Sequence, residues 1–227
     1  MELGFTALVP MKGHSERIPG KNLRLLEGRP LCFWILEVLS RLPEVERIVV
    51  NTDSPEIADR CQEAFGVVVH ERPPALCGDL VPMNRIIAHD LERLTGGEHF
   101  LQTHVTNPLL TAGTLRRAMA VYSGQLDRHD SLFSVTRRAS RFWDAQGRPV
   151  NHDPAVLLRT QDLSPLFEEN SCFYLFSRSS FGIHGHRIGE RPALFELDPR
   201  EALDLDEPAD WSLAEALLRA RGSQPLS

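Results

Sequence analysis

Apolar residues recur along the chain in two alternating patterns. Phe5–Val9 is a short, nearly continuous apolar run and reads as a first buried strand. Leu31, Trp34, Ile35, Val38 and Leu39 then fall at helical spacing within Arg29–Leu42, where Pro30 suits a first turn. Arg47–Asn51 predicts a second strand. Ser54-Pro55-Glu56 supplies an N-cap, a first-turn proline and an acidic first turn for a helix reaching about Phe65. Val67–His70 reads as strand, and Pro82–Leu94 as a helix with Ile86, Ile87 and Leu91 on one face. His99–His104 is a strand, Thr111–Tyr122 a helix begun by a threonine cap, and Ser131–Val135 a strand. This alternation predicts an α/β fold with a mostly parallel sheet and helices on both faces.

The rhythm breaks after Val135. Residues 137–168 carry Arg137, Arg138, Arg141, Arg148 and Arg159 among turn signals, with no long helical pattern. An insertion is predicted there, with a short hairpin around Gly147. Strand character returns at Ser171–Phe176 and Ala193–Leu197, and Ala209–Ala220 is a final helix. Residues 1–220 therefore read as one domain, and 221–227 as a frayed tail.

Composition narrows the function classes. With 227 residues, 42% hydrophobic and 25% charged, the chain is an ordinary soluble type with room for a large core. A net charge of -6 argues against a general nucleic-acid partner but leaves room for a local anion pocket. No apolar run is long enough for a membrane span, and no secretory pattern opens the chain, so a cytoplasmic protein without a membrane partner is expected. Cys32, Cys61, Cys77 and Cys172 form no C-x-x-C pair, so free, mostly buried thiols are expected.

The richest candidate chemistry follows the first strand, in Pro10-Met11-Lys12-Gly13-His14-Ser15-Glu16-Arg17-Ile18-Pro19-Gly20-Lys21-Asn22. Loops leaving the C-terminal ends of buried strands are where α/β sheets bind ligands. Glycines let backbone amides approach a phosphate, and lysines add mobile charge. The spacing fits neither a Walker loop nor a dinucleotide fingerprint, because six residues separate Gly13 from Gly20 and no G-x-G-x-x-G occurs. Residue chemistry alone leaves a phosphate cradle and a plain surface loop equally open.

Three other places stand out. In Ala202-Leu203-Asp204-Leu205-Asp206, an extended backbone would aim both carboxylates to one side, as Mg²⁺ binding wants, but the residues alone favour Asp206 as a cap of the helix near Pro208. Asn51-Thr52-Asp53 ends a strand, where Ser54-Pro55 favours a turn over a ligand contact. Gln102-Thr103-His104-Val105-Thr106-Asn107-Pro108 ends another and offers His104 as a titratable group. His184-Gly185-His186 lacks a third metal ligand and reads as a surface loop.

Taken in order, these segments resemble the acylneuraminate cytidylyltransferase (CMP-sialic acid synthetase) family. The loop is similar to that family's P-A-R-x-G-S-K-R-I-P-G-K-N. Val49-Val50-Asn51-Thr52-Asp53 is similar to V-V-S-T-D, and Arg72-Pro73 with Leu76 and Asp79 to R-P-x-x-L-x-x-D. Thr106-Asn107-Pro108-Leu109 resembles T-S-P-L, and Glu169-Asn170 with Tyr174 resembles E-N-G-x-x-Y. Ala202–Asp206 with Asp210-Trp211 resembles A-I-D-I-D followed by D-W.

The resemblance implies a three-layer α/β/α, Rossmann-like nucleotidyltransferase whose inserted arm serves a homodimer. It implies transfer of CMP from CTP to a sugar acid, sialic-acid-like or another 2-keto-3-deoxy acid, with release of pyrophosphate. Lys12, Gly13, Ser15 and Lys21 would hold the triphosphate, and Arg72 with Asn22 would place the nucleotide. Asp204 and Asp206 would hold Mg²⁺ and act with Lys21 in catalysis. His104, Asn107 and Tyr174 would face the acceptor. The alternatives are a Kdo-like or phosphonate acceptor, or a catalytically weak nucleotide binder.

Departures from the pattern cluster on the loop and the acceptor side. Lys12 stands for an arginine, Glu16 for a lysine, His104 for a glutamine and Leu110 for an arginine. At ~6 Å and an effective dielectric of ~20, one unit-charge pair is worth roughly 3 kcal/mol. Glu16 is therefore expected to turn away from the phosphates, to pair with Arg17, or to reach a metal.

Overall fold

A computed structural model describes residues 3–222. Its centre is a seven-stranded sheet in the order β5-β4-β1-β6-β8-β7-β9. The strands are β1 (Phe5–Met11), β4 (Val45–Thr52), β5 (Val68–Glu71), β6 (His99–Thr103), β7 (Ser131–Arg138), β8 (Leu166–Ser177) and β9 (Pro192–Glu196). A small antiparallel pair, β2 (Leu25–Leu26) and β3 (Arg29–Pro30), lies outside it. The pairs β5–β4, β4–β1, β1–β6 and β7–β9 are parallel, and β8 alone runs against both its neighbours. The expected mostly parallel sheet is what forms.

The period-two pattern of β1 divides the core. Phe5, Ala7, Val9 and Met11 pack with α1 (Leu31–Ser40), α2 (Pro55–Phe65) and α4 (Ala112–Ser123) on one face. Leu8 points the other way, into a cluster with Ile87 and Leu91 of α3 (Met83–Arg93) and Phe181 of α5 (Arg178–His184). A third cluster joins Ile18, Leu31, Leu109 and Leu205 to Trp211 and Leu218 of α6 (Pro208–Arg221). That cluster anchors the loop after β1 and the Asp204–Asp206 segment to one helix.

Local signals explain most of the boundaries. Ser54 accepts from the Ile57 amide at 3.4 Å and Thr111 from the Thr114 amide at 3.2 Å, as N-caps do. Pro30 differs from expectation. It pairs with Leu25 in the small hairpin and stands before α1 rather than in its first turn. Asp206 does not cap α6. Glu207 takes that position in a capping box with Asp210, whose carboxylate accepts from the Asp206 and Glu207 amides.

The insertion is shorter than the pattern suggested. Arg137 and Arg138 pair with Phe167 and Leu166 in the β7–β8 ladder, leaving 139–165 as the irregular excursion. Within it, Trp143 bridges Pro149 across a turn closed by Asp144 and Gly147, the hairpin expected there. Helix α6 runs through Arg221, whose Nη1 donates to the Leu109 carbonyl at 2.7 Å, so the described part of 221–227 is anchored. Residues 223–227 of the predicted tail lie outside the described residues. Cys32, Cys61 and Cys172 are buried, and all four thiols are free.

Candidate active site

The C-terminal ends of β1, β5 and β6 open onto a cleft of about 240 Å³. Strand β1 lies between β4 and β6, so the chain changes direction across the sheet here. Such a switch point is the crevice where open α/β sheets bind ligands. Lys12, Lys21, Asn22, Arg72, Asp79 and His104 line it, with Met11, Met83 and Ile86 as apolar wall.

The loop after β1 is held by two side-chain hydrogen bonds and a glycine turn. The Gly13 amide donates to Asp53 Oδ1 at 2.7 Å. A Cβ on Gly13 would come within 2.9 Å of the Ser54 Cβ, so only glycine fits that approach. The Asn22 amide nitrogen donates to the Lys12 carbonyl at 2.8 Å, closing the loop on itself. Gly20 takes φ +64, the left-handed region that glycine enters without penalty, and starts a single 3-10 turn at Lys21–Leu23. Ser15 is half-buried within this loop. The Gly13 amide and the Asn22 side chain thus brace the loop rather than face an empty cradle.

The cations divide between two carboxylate groups. Lys12 pairs with Asp79 across the mouth of the cleft, and this holds the Asp79 carboxyl below its ordinary range. Glu16 is exposed and lies beside Asp79, not on Arg17. Arg17 instead pairs with Asp206 at 2.9 Å and Glu207 at 3.3 Å. Lys21 is the best buried of the three loop cations. Its Nζ donates to the Leu205 carbonyl at 2.7 Å and lies 3.4 Å from Asp206 Oδ1.

Asp204 and Asp206 lie two residues apart on a segment that is not a strand. The Asp206 amide donates to the Asp204 carbonyl at 3.2 Å, and the segment is irregular backbone. Asn107 and Thr106 fix it from the other side. Asn107 Nδ2 donates to the Leu203 carbonyl at 3.2 Å, and the Leu205 amide donates to the Thr106 carbonyl at 2.9 Å. Asn107 is buried in this role and does not face an acceptor. Burial pushes the Asp204 carboxyl above its usual range, and its Oδ1 is buried without a hydrogen-bond partner. Among the described residues no cluster of three or more His, Cys, Asp or Glu side chains could hold a metal alone. Two carboxylates, one with an unpaired buried oxygen, fit an ion that takes its remaining ligands from phosphate and water.

Arg72 is buried at the end of β5, and its Nε and Nη2 are engaged. Its Nε donates to Asn51 Oδ1 at 2.8 Å and its Nη2 to the Asn51 carbonyl at 2.9 Å and the Met11 carbonyl at 3.3 Å. Burial lowers its pKa from the ordinary arginine value. Asn51 in turn donates to Asp90 at 2.6 Å, and Asp90 also bonds His70 at 2.8 Å. Asn51 is therefore the hub of a buried network and not a turn former, while Thr52 and Ser54 make the expected turn. Asp90 and His70 belong to no motif, and the only sequence sign of them is a polar residue on the apolar side of a helix or strand.

On the far side, Tyr174 is buried, with its hydroxyl donating to Glu169 and lying 3.1 Å from the Ser171 hydroxyl, from which it can accept. Burial pushes the Tyr174 phenol up to about 12. Arg187, which no pattern singled out, lies 3.5 Å over the Tyr174 ring and donates to Gln102 Oε1. Gln102 reaches His104, whose pKa is pushed down to about 3 by burial and by the charges of Arg187 and Lys21. His184 and His186 stack loosely 5.9 Å apart, with His184 3.6 Å from Asp130.

Known proteins resemble this chain over nearly its whole length. Among solved structures, that of CMP:2-keto-3-deoxy-manno-octonic acid synthetase complexed with CTP superposes with a TM-score of 0.70 at 13% identity, covering 96% of this chain and 99% of that one. The 4-diphosphocytidyl-2C-methyl-D-erythritol synthase of Anaerococcus prevotii gives 0.66 at 12% identity, covering 95% and 99%. These likenesses establish the nucleotidyltransferase fold. The Danio rerio N-acylneuraminate cytidylyltransferase A is 30% identical over 93% of this chain, and the chain spans about half the length of that relative. The Legionella pneumophila CMP-N,N'-diacetyllegionaminic acid synthase is 27% identical over 93% of this chain and 95% of its own length. The family model described as "Cytidylyltransferase" matches residues 6–219, and with this fold and cleft the chain belongs to the cytidylyltransferase family.

Proposed function

We propose that the cleft binds CTP and an acidic sugar and transfers CMP to the sugar with release of pyrophosphate. The observation that carries this reading is the unpaired, buried Oδ1 of Asp204, on the segment whose Asp206 reaches Lys21, which lines the cleft together with Lys12 and Arg72. The names of the relatives, an N-acylneuraminate cytidylyltransferase and a CMP-N,N'-diacetyllegionaminic acid synthase, support a sugar acid as acceptor.

A triphosphate brings negative charge to a cleft whose free-state cations are already paired. Lys12 exchanges Asp79 for phosphate oxygens, and Lys21 stays tethered by the Leu205 carbonyl and can turn a further N–H from Asp206 to phosphate. Arg72 holds the ends of β1 and β4 together and adds fixed positive potential to the wall. The acceptor hydroxyl oxygen bonds to the α-phosphorus as the bond to pyrophosphate breaks in line, a reaction served by positioning and charge neutralisation. Asp204 and Asp206 would hold Mg²⁺, which supplies Lewis-acid neutralisation of the phosphate charge when bound. Exposed Val150, Val156, Leu157, Leu158 and Phe167 on and beside the inserted segment support a homodimer.

Pyrophosphate release with CTP and Mg²⁺, measured over 2-keto-3-deoxy acids, acylamino nonulosonates and phosphonates, tests the reading. Turnover of one acceptor class is expected. No turnover with any of them, together with no CTP binding by calorimetry, overturns it. The ties of Lys12 to Asp79 and of the Gly13 amide to Asp53 favour a second reading, nucleotide binding without turnover, and binding with no pyrophosphate would establish it.

A further inference from the structure

His104 stands at the end of β6 in the wall of the cleft. Its chemistry is decided by two residues behind it. Arg187 Nη1 donates to Gln102 Oε1, and Gln102 Nε2 donates to the Thr103 carbonyl at 3.1 Å. A guanidinium only donates and a carbonyl only accepts, so both ends of the Gln102 amide are fixed independently. The same Nε2 lies 3.2 Å from His104 Nε2. An amide nitrogen has no lone pair to offer, so His104 Nε2 must accept. In a neutral imidazole the proton then resides on Nδ1.

We infer that Arg187 and Gln102 act as positioning residues that lock His104 as a neutral Nδ1–H donor, selecting an acceptor substrate that presents an oxygen to it. This deepens the sugar-acid reading of the same cleft and rests on it. A locked Nδ1–H has no lone pair to face the substrate, so His104 recognises a carboxylate, carbonyl or hydroxyl oxygen and does not serve as the base that deprotonates the attacking hydroxyl. Arg187 and Lys21 are the charged groups facing the ring, and both oppose a second proton on it. Arg187 is itself held in place over the Tyr174 ring, and its backbone amide donates to Asn84 Oδ1 at 3.3 Å. The chain of contacts therefore runs from α3 and β8 to the cleft wall.

Two measurements test this. Long-range proton–nitrogen correlation spectra of ¹⁵N-histidine-labelled protein, with His104 assigned from the His104→Asn spectrum, report the tautomer without substrate. A protonated Nδ1 and bare Nε2 are expected from pH 5.5 to 8. A protonated Nε2, or a cation at pH 6.5, overturns the inference whatever the enzyme turns over. Gln102→Glu keeps a partner for Arg187 but presents an acceptor to the ring, which moves the proton to Nε2. The KM for the acceptor should rise roughly ten-fold or more while that for CTP holds within about two-fold. His104→Leu should raise the same KM, and His104→Asn, which restores an N–H, should recover part of it. Equal change in both KM values, or none, overturns the selective role. A correct tautomer with no acceptor turned over would instead count against the functional reading alone.

Discussion

The parallel half of the sheet and the half built on β8 reach the same cleft by different means. In β5-β4-β1-β6 every strand ends at one rim, and three of the four ending loops deliver side chains directly: Lys12 and Lys21 after β1, Arg72 after β5, His104 after β6. In β8-β7-β9 the reversal at β8 sends loops to both edges. That half contributes through contacts, as Arg187 does by reaching back to Gln102, 85 residues earlier in the chain. The parallel half supplies the cations of the cleft, and the other half supplies the carboxylates after β9 and sets the hydrogen-bonding state of what is already there.

If charge at the cleft governs catalysis, the largest effect belongs to Asp206→Asn, whose carboxylate reaches Lys21 of the parallel half from the segment after β9. Turnover should fall at least ~100-fold, since neutralisation by a metal is worth several kcal/mol, while the melting temperature stays close to wild type. Unchanged turnover would leave Asp206 as no more than the surface partner of Arg17.

Arg72→Lys comes next. It keeps the charge but cannot reproduce the three-carbonyl grip on Asn51 and Met11. A buried hydrogen bond to a charged group is worth about 1.5–3 kcal/mol, so the KM for CTP should rise roughly ten-fold or more. A change in acceptor KM alone would break the division between the two halves.

Asp204→Asn separates stability from activity. Its folded pKa is raised, so the native state favours the protonated acid and loses stability as pH rises from the ordinary carboxylate range through the raised value. The metal-free variant should therefore melt about 2–4 °C higher than wild type at pH 7, if the relief is ~1 kcal/mol, and show no gain at pH 3. A lower melting temperature at pH 7 would mean that the carboxylate is stabilised in the free protein.

His104 gives the opposite slope. Its folded pKa of about 3 lies below the ordinary 6.5, so the unfolded chain binds the proton first and stability rises with pH between those values. Thermal scans of His104→Asn should lose that component of the rise, whereas Asp204→Asn should retain it.

Arg17→Gln is the mildest change. The Arg17–Asp206 pair is about half exposed on both sides, and such pairs contribute about 0–1 kcal/mol and weaken with salt. Melting should barely move. If Asp206 holds Mg²⁺ as proposed, the Mg²⁺ needed for half-maximal activity should fall a few-fold, because Arg17 no longer competes for Asp206.

Much of this half-and-half design was legible in the sequence. Strand β1, the caps Ser54 and Thr111, and the loop from Pro10 to Asn22 are local patterns, set by side-chain periodicity and by backbone amides needing nearby partners. The order of the motifs fixed the family, because a nucleotide cleft at a parallel rim draws its residues from successive strand ends.

The tertiary structure decided the partnerships. Asp206 could have capped α6 until Glu207 and Asp210 proved to form the box. Gly13 and Asn22 had the composition of a phosphate cradle, yet Asp53 and the Lys12 carbonyl claim their donors. Arg187 carried no signal and Asp90 only that of a polar residue on an apolar face, because a buried charge is chosen by partners that are close in space and remote in sequence. Sequence periodicity determines which side of an element faces the core. Which polar groups share that space depends on how the elements pack, and that is a property of the whole fold.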